Sequence, residues 1–309
     1  MIKTASLAVC IALTALAPTR GEAALKVVTT TEGLASIARE VGGERVEVTS
    51  LSRGIQDPHF VDASPTLAVK LRGADLLVDV GLELEVGWLP PLVTQSRNAE
   101  IQPNGRRRFT AASVVRVLEI PQGPVDRSMG DLHPAGNPHF MSDPRRVAQV
   151  AAGLASKLSD LDPAGEPLYR ARLADFQRRV TAAEARWAAA LAPVRGRALV
   201  VHHNSFTYFL DWAGLQAVGY LEPRPGIPPP PSHLAELVGV VRARGVKGIL
   251  LENYHDRRSA DVVARHTGAR VVTLPGDVGG FKDEGNALDP KDWFGYMDSL
   301  VQLVTGALR

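Results

Sequence analysis

Between Pro163 and Pro193 the chain runs through Ala, Leu, Arg and Glu with no glycine after Gly165 and one proline, Pro167, near the start. Such a stretch predicts one helix of roughly 25 residues, which at about 1.5 Å per residue is near ~38 Å long, the dimension of a whole domain. Its place at the centre of the chain makes it a connector between two lobes. On either side, short β-rich runs alternate with helical patterns. Strands are expected at 26–30, 45–49 and 75–80, with helices at 32–41 and 65–72, before the connector. After it, strands are expected at 197–201, 217–221, 248–251 and 270–274, with helices between them. This grammar favours an α/β fold with mainly parallel sheets flanked by helices. Asp143-Pro144 pairs an N-cap with a first-turn proline, predicting a helix to about Leu158. Asp162-Pro163 repeats that signal, and a last helix is expected after Asp289-Pro290. The expected organisation is an N-terminal lobe over 24–160, a connecting helix over 161–193 and a C-terminal lobe over 194–309.

The first residues have another character. Met1-Ile2-Lys3 is basic, 5–16 is largely apolar, and Gly21-Glu22-Ala23 offers small residues at the positions a signal peptidase reads. This reads as a secretory signal peptide over 1–23, cleaved after about Ala23, its apolar part far shorter than the roughly 20 residues that span a bilayer. The single cysteine, Cys10, lies inside the apolar run and follows Val9, so the reading excludes lipidation. A mature chain without thiols must build any metal site from nitrogen and oxygen. Basic and acidic residues number 35 and 33, a formal charge of +2, so no nucleic-acid partner is expected. The tight run Arg106-Arg107-Arg108, beside Pro103-Asn104-Gly105, reads as a solvated turn.

Two stretches spell nearly the same thing, Asp57-Pro58-His59-Phe60 and Asn137-Pro138-His139-Phe140. In each, proline fixes its own φ and drives the preceding residue out of the helical region, so the histidine sits on a stiff loop. His202-His203 follows the apolar run 198–201, and Asp277 follows 271–275. His203, Glu222, Glu252 and Asp277 thus lie just beyond the carboxyl ends of successive strands, the rim where open α/β sheets bind ligands. Three imidazoles and a carboxylate fill a tetrahedral zinc shell, and a shell closed by side chains holds an ion rather than activating water on it. The chain has no His-Glu-x-x-His helix and no Gly-x-Ser-x-Gly elbow, which leaves catalysis the weaker reading. Neighbours along a strand face opposite ways, so one of His202 and His203 is expected to bind.

The chain resembles the zinc/manganese solute-binding proteins of ABC importers over nearly all of its mature length. The resemblance rests on Asp57-Pro58-His59-Phe60, on Ala74-Asp75-Leu76-Leu77 through Gly81-Leu82-Glu83-Leu84-Glu85 to Trp88-Leu89, and on Gly136-Asn137-Pro138-His139. It rests further on His203-Asn204-Ser205-Phe206-Thr207-Tyr208-Phe209 and on Leu251-Glu252. It implies two α/β lobes joined by one long rigid helix, with a metal site in the interlobe cleft. It puts His59, His139 and His203 on ligand positions and Asp277 near the fourth. Glu252 or a water is the alternative at the fourth position, and Glu252 otherwise orients a ligand imidazole from behind. The long His-rich loop of the family's zinc importers is reduced to 122–136, which contains only His133. His202 is expected to be packed or hydrogen-bonded, and His233, His255 and His266 solvated. Trp88, Phe206, Tyr208 and Phe209 are expected in the core and the wall of the cleft.

The function so implied is extracytoplasmic capture of a divalent ion by a monomeric, non-enzymatic receptor. Zn²⁺ is expected over Mn²⁺ because three nitrogens and one acid suit it better. The partners implied are the membrane permease of an ABC importer and a periplasmic metallochaperone. The rival readings are a manganese-specific receptor of the same type, a periplasmic zinc-dependent hydrolase with water as fourth ligand, and a surface adhesion module. A missing lipid anchor and the lack of an appended domain speak against the last. With a reference pKa of about 3.9, Asp277 is expected to stay charged over most of the range between pH 7 and 5.

Overall fold

A computed structural model describes residues 24–281 and 288–309; the expected signal peptide lies outside them. The first lobe carries β1 (Leu25–Thr29), α1 (Glu32–Gly42), β2 (Val46–Ser50), α2 (Pro65–Arg72), β3 (Leu76–Asp79), α3 (Leu89–Ser96) and β4 (Arg108–Thr110). Its strands pair in parallel in the order β2-β1-β3-β4. Two long helices follow, α4 (Pro144–Leu161) and α5 (Glu166–Leu191). The second lobe carries β5 (Ala198–Val201), α6 (Thr207–Ala213), β6 (Gln216–Tyr220), α7 (Pro231–Arg244), β7 (Gly248–Glu252), α8 (Arg258–Thr267), β8 (Arg270–Leu274) and α9 (Trp293–Leu308). Its strands are also parallel, in the order β6-β5-β7-β8. Each sheet therefore reverses strand order beside its first strand, and the crevice beyond such a switch point is where ligands bind.

One expectation needs correcting. Arg108 does not belong to a solvated turn but begins β4, where its guanidinium forks onto buried Asp79 at 2.9 and 3.0 Å. Three residues are too few for hydrophobic alternation to reveal such a strand. The last helix follows Asp289-Pro290 as expected and begins at Trp293, where Asp292 supplies the cap, its carboxylate accepting from the Gly295 amide at 2.8 Å. Asp143 caps α4 as expected, accepting from the Arg145 amide at 2.9 Å. Asp162 caps a single 3₁₀ turn, Pro163–Gly165, from which α5 continues.

The 26-residue α5 joins the lobes by burying Tyr169, Phe176, Val180, Ala183, Trp187 and Leu191, a stripe at helical spacing. Towards the first lobe it packs on α1 and α4, and Arg179 pairs with Glu40. Towards the second it meets α9, where Trp187 lies edge-on to Trp293 at 5.8 Å and its indole N–H donates to Asp298. The Trp293 amide in turn donates to the Ser36 hydroxyl of α1, and its indole to the Met141 carbonyl. One continuous hydrophobic cluster thus runs from α1 through α5 to α9, holding the two sheets at a fixed separation around their shared crevice. Among the described residues no helix is long and apolar enough to cross a membrane.

Candidate metal centre

The two x-Pro-His-Phe loops build the same local structure. The Asp57 carboxylate accepts from the His59 amide at 2.9 Å, and the Asn137 side-chain oxygen accepts from the His139 amide at 2.9 Å. Asp and Asn favour this turn because a short side chain reaches the backbone two residues on. Each loop is also buttressed from behind. The Trp88 indole donates to the Pro58 carbonyl at 2.9 Å, and the Tyr208 hydroxyl donates to the Asn137 carbonyl at 2.8 Å. Gly136 precedes the second loop at φ +105°, where a Cβ would strike Val117, so only glycine fits there.

These loops and the end of β5 bring three imidazoles together. His59, His139 and His203 each present a ligand atom within 4.8 Å of the other two, their rings 5.1 to 5.6 Å apart. Nε2 of His139 and Nε2 of His203 are buried without a hydrogen-bond partner among the described residues. An orphaned buried nitrogen costs about 1–3 kcal/mol, and imidazole nitrogens facing one another are the donor set a zinc-like cation satisfies. Burial, reinforced by the neighbouring imidazoles, holds His139 well below the usual histidine range, in the neutral form a metal needs.

Carboxylates fix two of the rings from behind. Asp57 takes His59 Nδ1 at 2.8 Å and Glu222 takes His203 Nδ1 at 3.0 Å, which turns Nε2 of each ring inward. This carboxylate–imidazole pairing sets the tautomer and raises ligand basicity. Burial pushes both acids up, but hydrogen bonds outweigh it, from His59 on Asp57 and from His202 and His203 on Glu222, and both stay low. The orienting role expected of Glu252 therefore falls to Asp57 and Glu222. Glu252 is wholly buried, accepts from the Ser205 hydroxyl, and lies 3.5 Å from His255, with its carboxyl pushed well up by burial.

His133 stands against the triad, its Nε2 3.3 Å from His59 Nε2 and its ring stacked on His59 at 5.4 Å. Burial next to His59 and His203 pushes it down to about 4. Asp277 is not within the group of mutually close ligand atoms. It shares with His139 a cavity of about 60 Å³, and its carboxylate accepts from the amides of Gly33 at 2.9 Å and Val278 at 2.8 Å. His202 and His203 both lie past the last residue of β5, so strand alternation does not govern them, and both reach Glu222. His255 is not simply solvated, because its ring stacks on His202 at 4.2 Å.

A family model described as zinc-uptake complex component A, periplasmic (ZnuA), matches residues 27–307. The chain is 26% identical over 246 residues to the manganese ABC transporter substrate-binding lipoprotein PsaA of Streptococcus pneumoniae, covering 78% of this chain and 76% of that one. It is 28% identical over 237 residues to the high-affinity zinc uptake system protein ZnuA of Paracoccus denitrificans, covering 70% and 72%. A crystal structure of ZnuA superposes with a TM-score of 0.76 at 23% identity, over 93% of this chain and all of the other. A mutant structure of the laminin-binding adhesin Lmb of Streptococcus agalactiae does so with a TM-score of 0.73 at 22% identity, over 92% of this chain. Both show the same fold of two parallel sheets with a long helix between them. With a model match that spans both lobes and every residue of the histidine triad, the chain belongs to the ZnuA family of zinc-uptake components, substrate-binding proteins of ABC importers rather than enzymes.

Proposed function

We propose that the protein captures one Zn²⁺ in the crevice between its lobes, on His59, His139 and His203 with Asp277 as fourth ligand, and delivers it to the permease of an ABC importer. The observation that carries this is the convergence of three imidazoles, two of them held by carboxylates and two with buried, unpartnered Nε2 atoms. Zinc is preferred over manganese because a shell of three nitrogens and one oxygen suits it, whereas Mn²⁺ favours more oxygen. Relatives carrying both metals in their names leave that choice to the donor set. In this reading residues 1–23 are a signal peptide cleaved after about Ala23, and the mature receptor works outside the cytoplasm as a monomer, with a metallochaperone as a further source of ion.

A second reading of the fourth position is favoured by one distance, the 3.3 Å between His133 Nε2 and His59 Nε2. His133 would then replace Asp277. Competitive titration of chelator-treated protein with Zn²⁺ and Mn²⁺, repeated for Asp277→Ala and His133→Ala, tests metal and ligand together. The expected result is tight one-to-one zinc binding, weaker manganese binding, and a loss of affinity in Asp277→Ala that exceeds the loss in His133→Ala.

A further inference from the structure

Behind the capture site, on the side of the second lobe, lies a separate group of donors. His202, Glu222 and His255 each offer a ligand atom within 4.8 Å of the other two. His202 is only 6% exposed, and its Nδ1 is buried with no hydrogen-bond partner among the described residues. Its Nε2 lies 3.4 Å from Glu222 Oε1, the oxygen not used by His203. The group faces an open cavity of about 460 Å³, also lined by Asp256, Tyr254, Pro228 and Pro229, so an ion reaches it from solvent.

We propose that His202, Glu222 and His255 form a second, weaker site for a zinc-like divalent cation, a station beside the capture site. Two imidazoles and a carboxylate suit borderline metals such as Zn²⁺ or Co²⁺, whereas Mg²⁺ and Ca²⁺ take all-oxygen shells. Three protein ligands leave positions for water, which makes the ion exchangeable. The shared Glu222 ties the two sites together. Its Oε1 serves the outer ion while its Oε2 continues to hold His203, and the rings of His203 and His255 are 6.1 Å apart. Two dications that close repel, so filling the inner site weakens the outer one. The metal-binding capacity rests on its own three residues; only its role as a station rests on the capture function proposed above.

The test is calorimetric titration of chelator-treated full-length protein with Zn²⁺, followed by Co²⁺ absorption spectroscopy. Wild type is expected to take one tight and one weaker equivalent. His255→Ala should lose the weaker equivalent and keep the tight one, and His139→Ala should do the reverse. In the His139→Ala background, the visible Co²⁺ bands should disappear on adding His255→Ala. Because His202 is packed in the interior, His202→Asn serves as the second variant, and thermal melting confirms that both variants fold. A single equivalent in wild type overturns the proposal, as does a weaker equivalent that survives both His255→Ala and His202→Asn. In that case the three residues are no more than a hydrogen-bonded support for His203. Loss of the tight equivalent from wild type would instead refute the capture function, so the two failures are told apart.

Discussion

The carboxylate of Asp277, carried just beyond β8 in the second lobe, accepts a hydrogen bond from the amide of Gly33 in the first turn of α1, 2.9 Å away across the crevice. A Cβ on residue 33 would stand 2.6 Å from the same carboxylate, so glycine is what admits it. The helix N-terminus, with its unsatisfied amides, is a natural seat for an anion. Asp277 is therefore engaged with α1, and the proposed capture site would give it a second engagement through the cavity it shares with His139.

Burial pushes Asp277 up to about 6, which places its titration inside the window over most of which the sequence alone had it charged. The sign follows from the proton count. A metal takes the ionised carboxylate, so below about pH 6 binding must displace a proton from Asp277 as well. Zinc affinity of wild type and Asp277→Ala, measured by chelator competition from pH 7.5 to 5, should therefore differ most at the alkaline end and converge at the acid end. A constant loss across the range would keep Asp277 as a ligand but with an ordinary carboxylate titration, and the absence of any loss would remove it from the shell.

Glu222→Gln and Asp57→Asn should each lower zinc affinity by about 10–100-fold, the usual cost of removing a carboxylate behind a ligand imidazole. Both variants should fold. Glu252→Gln should leave zinc affinity near that of wild type, because its contacts are Ser205 and His255 rather than the triad. Competition titration of the three variants side by side checks this, and a loss in Glu252→Gln as large as that in Glu222→Gln would contradict the assignment.

Trp187 holds α5 against α9, wholly inside the core. Trp187→Ala should cost about 3–5 kcal/mol by the general penalty for emptying a large aromatic site. Denaturant unfolding should show that loss, with the zinc affinity of the folded fraction little changed, since the residue touches none of the histidines.

The sequence made the architecture legible because each lobe repeats the alternation of strand and helix and the connector has no glycine after Gly165. β4 escaped because three residues carry no period, and its meaning lay instead in the pairing of Arg108 with Asp79. The three histidines were legible from the duplicated Pro-His loops and from a strand end. Their supports were less so. Asp57 sits inside its own motif, two residues before His59, so its role was within reach of the Asx-turn rule. Glu222 was placed correctly at a strand end, but which of two strand-end acids faces His203 depends on the order β6-β5-β7-β8, in which Glu222 and Glu252 flank β5 on opposite sides. Sequence spacing carries no such information. His255 was misread as solvated because its stacking on His202 joins segments about fifty residues apart.

The most direct test is the zinc stoichiometry of the triad itself. Chelator-treated wild type and His139→Ala are titrated with Zn²⁺ in competition with a chromogenic chelator at pH 7.5, and their thermal melting is followed with and without the ion. Wild type should take one tight equivalent and melt at a higher temperature with it, since the ion binds the folded state. His139→Ala should fold, lose that equivalent and lose most of the thermal shift. Tight one-to-one binding and an undiminished shift in His139→Ala, or no saturable binding in wild type, would contradict capture by His59, His139 and His203.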